Sequence, residues 1–142
     1  MRDPESRSPY GPGNGPLIDV IRCPWPPKEL SPNSRKAHRY TKDARNGFKT
    51  ACFYATKEAR AFIPENAHLS LHFYPPDNRK RDLDNMLAAM KAGLDGIALA
   101  AGIDDYGWSL SIHRMEPTKG GAVVVRVCPP EFGIIEHRGT VS

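Results

Sequence analysis

The sequence predicts a small α+β domain in which two helices cover one mixed four-stranded sheet, in the order β-α-β-α-β-β. Two kinds of periodicity and one limit on size carry that reading. Apolar residues recur every three or four positions in two segments, as amphipathic helices require. They alternate, or run together over a few positions, in four shorter segments that suit strands. The chain has 142 residues and is 39% hydrophobic, enough for one modest core.

The first strand is Leu17 to Cys23, a short β-branched run stopped by Pro24 and Pro26-Pro27. Residues 28–40 form a polar, basic loop with a Ser31-Pro32-Asn33 turn. The first helix spans about Thr41 to Phe62, with Phe48, Cys52, Ala55, Ala59 and Phe62 on its apolar stripe. Asn46-Gly47 weakens its first turns, and Pro64 closes it. His68 to Tyr74 alternates around Leu69, Leu71 and Phe73 and ends at Pro75-Pro76. The second helix carries Leu83, Met86, Leu87, Met90, Leu94 and Ile97 on one stripe, and Gly102 suits its end. Trp108–Met115 and Ala122–Val127 read as two further strands. They are expected to form a hairpin through Gly120-Gly121.

The ordered domain is expected over residues 17–129. A Pro/Gly-rich leader at 1–16 and a tail at 130–142 flank it. The net charge of +4 tilts only weakly toward a polyanionic partner. Mean hydropathy is −0.52. No run approaches the roughly 18 apolar residues of a membrane helix, and the N-terminus lacks a secretory pattern. Three widely spaced cysteines fit neither a disulfide framework nor a zinc ribbon, which points to a reducing, cytoplasmic compartment.

The chemistry concentrates in Pro75–Asn85, PPDNRKRDLDN. Asp82 and Asp84, two apart, share a face if extended and can converge on one cation before the helix begins. The plainer reading of such a pair is a helix cap beside a solvated charge, with Asp84 or Asn85 as the cap. Arg79-Lys80-Arg81 would keep the pair ionised and offer donors to phosphate, or stand as a solvated charge run. Asp104-Asp105 follows the same helix, and its alternative is again a turn or cap. Arg35, Lys36, His38 and Arg39 form a further basic cluster, or merely a surface loop. Phosphodiester hydrolysis gives such carboxylates a purpose. Mg²⁺ accepts two or three of them, neutralises phosphate charge and activates a water. Lys91, on the second helix, is a candidate to stabilise the transition state, or a snorkelling surface lysine. A helix of about 18 residues is ~27 Å long, so Asp105 joins Asp82 only if the helix stops early, near Gly93 or Gly96, or the chain turns back.

Arg81-Asp82-Leu83-Asp84-Asn85, the apolar helix after it, Gly102-Ile103-Asp104-Asp105 and Pro117-Thr118-Lys119-Gly120-Gly121 together resemble the RusA family of Holliday junction resolvases. Pro24-Trp25-Pro26-Pro27 and Ser31-Pro32-Asn33 are similar to its phage and prophage members. The resemblance implies a RusA-like fold and a Mg²⁺-dependent endonuclease, with Mn²⁺ as a substitute, that nicks four-way DNA junctions symmetrically as a homodimer. It needs no membrane and no small-molecule cofactor. It assigns metal binding to Asp82, Asp84 and Asp105, with Asp104 beside them. Asn33, Arg35, Lys36, Arg39, Arg79, Lys80, Arg81 and Lys119 are then the DNA contacts. Family members carry a catalytic lysine four residues after the second aspartate. Here that residue is Ala88, and Lys91, one turn on, is expected to take over. Two alternatives stand beside this reading: a broader nuclease acting on forks or flaps, and a DNA-binding module without catalysis.

Overall fold

A computed structural model describes residues 19–32 and 38–128. The expected leader at 1–16 and tail at 130–142 lie outside these residues, as do Asn33, Arg35 and Lys36. The described part has the expected α+β architecture. β1 is Asp19–Cys23, α1 His38–Ala59, β2 His68–Tyr74, α2 Leu83–Ala101, β3 Ser109–Arg114 and β4 Ala122–Cys128. Short 3-10 turns at Lys28–Leu30 and Asp105–Gly107 complete the path.

The strands lie in the order β1-β4-β2-β3. β4 runs antiparallel to both β1 and β2, whereas β2 and β3 are parallel and joined through α2. The expected β3–β4 hairpin is therefore not formed; the two strands flank β2 instead. Their sequences explain the difference. AVVVRVC is almost continuously apolar, and all but Arg126 is buried, as a central strand demands. SLSIHR alternates and stays largely accessible, as suits an edge. The connection crosses over the end of β2, where the Thr118 N–H donates to the Pro75 carbonyl at 2.8 Å. A turn closed by Gly121 N–H to Thr118 O then reverses the chain, with φ of 81° at Gly120 and 69° at Gly121.

One face of the sheet presents Ile21, Cys23, Leu69, Leu71, Phe73, Val123, Val125 and Val127 to the helices, and all are buried. Phe48 and Cys52 of α1 and Met86, Met90, Leu94 and Ile97 of α2 close the core from the other side. The opposite face is polar. His68 bonds Ser109 Oγ and Ser111 Oγ at 2.8 and 3.1 Å. His72 stacks on His113 with ring centroids 4.7 Å apart.

α1 ends earlier than the sequence expectation, whereas α2 ends where expected. α1 runs unbroken through Asn46-Gly47 but stops at Ala59, where Arg60 takes a left-handed φ of 55°. Phe62 is thus outside the helix and 52% exposed, not part of the core. α2 continues through Gly93 and Gly96 to Gly102, whose φ of 74° ends it as expected. Those two internal glycines are contact points, not stops. A β-carbon on Gly96 would run into the Lys49 carbonyl oxygen, and one on Gly93 would lie 2.8 Å from the Phe48 ring.

Candidate active site

The site grows from the loop between β2 and α2. Pro75-Pro76 ends β2, and Asp77 then organises the turn. Its Oδ1 accepts the Arg79 N–H at 2.9 Å, and its carboxylate pairs with Arg79 at 3.2 Å and Arg81 at 3.0 Å. The Arg79 backbone N–H, helped by the two guanidinium charges, holds the Asp77 carboxyl below its ordinary value, against a smaller opposing pull from desolvation. The Arg81 side chain also donates to the carbonyls of Asp77 and Arg79 at 3.3 and 3.1 Å. Its guanidinium sits 5.5 Å from the centre of the Trp25 ring, which meets Phe73 edge-on at 6.1 Å. From β3, Arg114 donates to the Arg81 carbonyl at 2.7 Å. Arg81, expected as a DNA contact, is thus largely occupied in tying this loop to Trp25 and β3.

The loop delivers Asp82 to the N-cap position of α2, in extended geometry with φ −82° and ψ 142°. Its carbonyl accepts the Met86 N–H at 3.0 Å and closes the first turn. Its carboxylate makes no capping hydrogen bond. Asp84 and Asn85, the expected caps, stand inside the first turn of α2, and Asp82 takes the N-cap place with its charge exposed at the positive end of the helix dipole. Asp84 is also exposed, and its Oδ1 accepts the Asn85 N–H at 2.9 Å.

Beside Asp82 opens a cleft of about 520 Å³. Trp25, Pro26, Met86 and Ala89 form its apolar part, while Lys28, Arg79, Lys80 and Arg81 bring positive charge. Among the described residues Asp82 is the one acid in its lining, with Asn85 beside it. Gly121 closes the back of this region, since a β-carbon there would lie 3.0 Å from Trp25 Cβ and 3.1 Å from Pro76 Cδ. The neighbouring Lys119 is exposed at the same end of the sheet.

Asp104 and Asp105 are not at this end. The 19 unbroken residues of α2 span about 28 Å. Asp104 lies beyond its far terminus, with Oδ1 accepting the Tyr106 N–H at 3.1 Å. Asp105 begins the next 3-10 turn, which leads to Gly107 against the Glu65 carbonyl at the start of β2. Its side chain is not among those described. The expectation that one ion joins Asp82 and Asp84 to Asp104 or Asp105 of the same chain is corrected by this length. The helix neither stops at Gly93 or Gly96 nor folds back. Among the described residues no three His, Cys, Asp or Glu side chains form a metal-sized group.

Lys91 is exposed on α2, seven residues after Asp84 and so on nearly the same helix face, about 10 Å along the axis. Arg39 lies in the first turn of α1, and its side chain is outside the described set. Sequence reading passed over Trp25, Lys28, Asp77 and Arg114 as site residues and considered Asn85 only as a cap. Asp77 was legible in principle, because an aspartate side chain readily bonds the backbone N–H two residues on and so favours an Asx turn. The others meet only through the fold.

Fold and site together define a two-helix, single-sheet α+β domain with a basic cleft at a helix N-terminus. No protein-family model matches the chain. It is 43% identical over 119 residues to an uncharacterized protein of Xylella fastidiosa (strain Temecula1), covering 78% of this chain and 76% of that protein. The chain belongs to the same family as that protein. Among the described residues no helix is long and apolar enough to cross a membrane.

Proposed function

We propose that this protein is a Mg²⁺-dependent endonuclease that nicks branched DNA, with the four-way junction as its principal substrate. The reading rests on one observation above all. Asp82 presents an uncapped carboxylate, two residues from Asp84, to a cleft edged by Lys28, Lys80 and arginines. Two carboxylates suit Mg²⁺, which keeps several waters and takes remaining ligands from phosphate. Asp82 and Asp84 would hold it; Mn²⁺ would fit the same hard oxygen donors. Once bound, the ion supplies phosphate neutralisation and an acidified water.

The chain's own groups do the rest. Lys28 and Lys80, without ion-pair partners among the described residues, attract the DNA backbone. Arg81 and Asp77 fix the loop so that Asp82 meets the phosphate in one position. Lys91 is the candidate to stabilise charge on the leaving oxygen. The resemblance to RusA resolvases adds the homodimer, in which each subunit would nick one strand. Asp104 and Asp105, at the far end of α2, have no part in this site within one chain. The three buried, unbridged cysteines support a reducing, cytoplasmic setting.

Cleavage of a synthetic four-way junction with and without Mg²⁺ tests the proposal. Wild type should cut only with the metal, and Asp82→Asn should bind without cutting. A protein that binds junctions but never cuts them is the DNA-binding module instead. Equal rates on fork, flap and junction would make it the broader nuclease.

A further inference from the structure

The cleft beside Asp82 is more than a charged approach path. Its floor is apolar, from Trp25, Pro26, Met86 and Ala89, whereas its rim carries Lys28 and Lys80. An anion site alone would not need that floor, and an apolar peptide groove would not carry those cations. A nucleotide taken out of its base stack offers both halves: a flat, weakly polar ring and an attached phosphate. The volume of about 520 Å³ lies in the range of small-ligand sites.

We infer that this cleft holds one unstacked nucleotide next to the phosphate at Asp82. The proposal rests on the nuclease reading and adds to it the kind of DNA the site prefers. The Arg81 guanidinium already lies over the Trp25 ring, its carbon 5.5 Å from the ring centre, and the pair makes a platform. Bases stack on indole rings and on guanidinium planes alike. Arg81 is held there by Asp77, so the platform stands before the ligand arrives. The Asn85 carboxamide, without a partner among the described residues, brings a donor and an acceptor to the edge of the base. Lys28 and Lys80 meet the flanking phosphates. DNA with an unpaired nucleotide beside the cut, as at a branch point or a single-stranded end, enters at little cost. A continuous duplex must first give up a stacked pair.

The test uses fluorescence of Trp25. Trp108 lies outside the cleft, where its Nε1 donates to the Pro64 carbonyl. Trp108→Phe therefore leaves Trp25 as the sole reporter. The variant is titrated in EDTA with a short oligothymidylate and with a blunt duplex of equal length. The single strand should quench Trp25 and bind about tenfold more tightly than the duplex, the order of one base–aromatic stack. Asn85→Ala should weaken the single strand and leave the duplex unchanged. Undisturbed Trp25 emission, or equal affinity for the two DNAs, overturns the inference. Mg²⁺-dependent cutting is scored separately. Cutting without quenching removes the subsite and leaves the nuclease; quenching without any cutting removes the nuclease and leaves the subsite.

Discussion

Gly96→Ala is a sharp test of how the two helices are held. Alanine is the better helix former, by about 1 kcal/mol, so α2 taken alone would gain from the change. The structure reverses the sign. The new methyl would collide with the Lys49 carbonyl oxygen and lie 3.0 Å from its carbon and 3.1 Å from the Phe53 nitrogen. Non-bonded heavy atoms prefer separations of more than about 3 Å, and the collision with the carbonyl oxygen is the worst of the three contacts, so the helices would have to part by roughly 1 Å. Backbone atoms cannot rotate away as a side chain can. Overpacking of this kind costs about 1–3 kcal/mol, and the backbone clash argues for the upper end. After the propensity gain, a net loss of about 1–2 kcal/mol remains. Gly47→Ala is the matched control. It sits in α1, and its β-carbon would meet nothing within 4 Å. That variant should gain about 0.5–1 kcal/mol. Urea unfolding followed by circular dichroism measures both. A Gly96→Ala midpoint at or above wild type would refute the close crossing of α1 and α2.

Further outcomes follow from the loop, the polar sheet face and α2. Lys91→Ala should abolish most cleavage while junction binding survives; unchanged cleavage would remove Lys91 from the mechanism. Arg81→Ala should loosen the loop that places Asp82 as well as remove half of the Trp25 platform, so the cleavage rate at saturating DNA should fall in addition to any loss of binding. A loss confined to binding, with the saturated rate unchanged, would mean that Arg81 does not position Asp82. His72 is held below its usual 6.5, first by burial and then by the charges of His113 and Arg126. The unfolded chain therefore takes up this proton first as pH falls. The contribution is complete above pH 6.5 and is lost as pH drops through the lower folded-state value. His72→Gln removes that dependence, so wild type should lose ground to the variant between pH ~7.5 and ~5, read by urea midpoints. A constant difference across that range would count against the assignment.

What the sequence made legible was decided by the range of the forces involved. β2 and α2 were readable because Leu69, Leu71 and Phe73, and Met86, Met90, Leu94 and Ile97, repeat at spacings set by local geometry. The end of α2 was readable because Gly102 must adopt a left-handed φ. The pairing of β3 with β2 was not, since a Gly-Gly turn suggests a hairpin wherever it stands. Only the contrast between AVVVRVC and SLSIHR hinted which strand lies inside. The acidic loop was legible as a cluster, but its internal order was not. Arg79-Lys80-Arg81 looks like three equivalent cations in sequence. Asp77, Trp25 and the Arg114 contact divide them: Arg81 ties the loop, Arg79 pairs with Asp77 from the surface, and Lys80 is an exposed charge. Gly93 and Gly96 misled for a related reason: a glycine that lets another helix approach cannot be told from a stop until that helix is known.

The central position of β4 also bears on the order of assembly. β1 is the first of the described strands along the chain, yet its sheet partner is β4, the last of them. Until residues 122–128 are in place, β1 has no neighbour in the sheet and β2 lacks one of its two. The cleft waits on the same event, because Gly121 lies against Trp25 just before β4 begins. The sheet is continuous only with β4 between β1 and β2. Shortening the chain from its C-terminal side into β4 should therefore remove the cleft and the sheet together, not step by step.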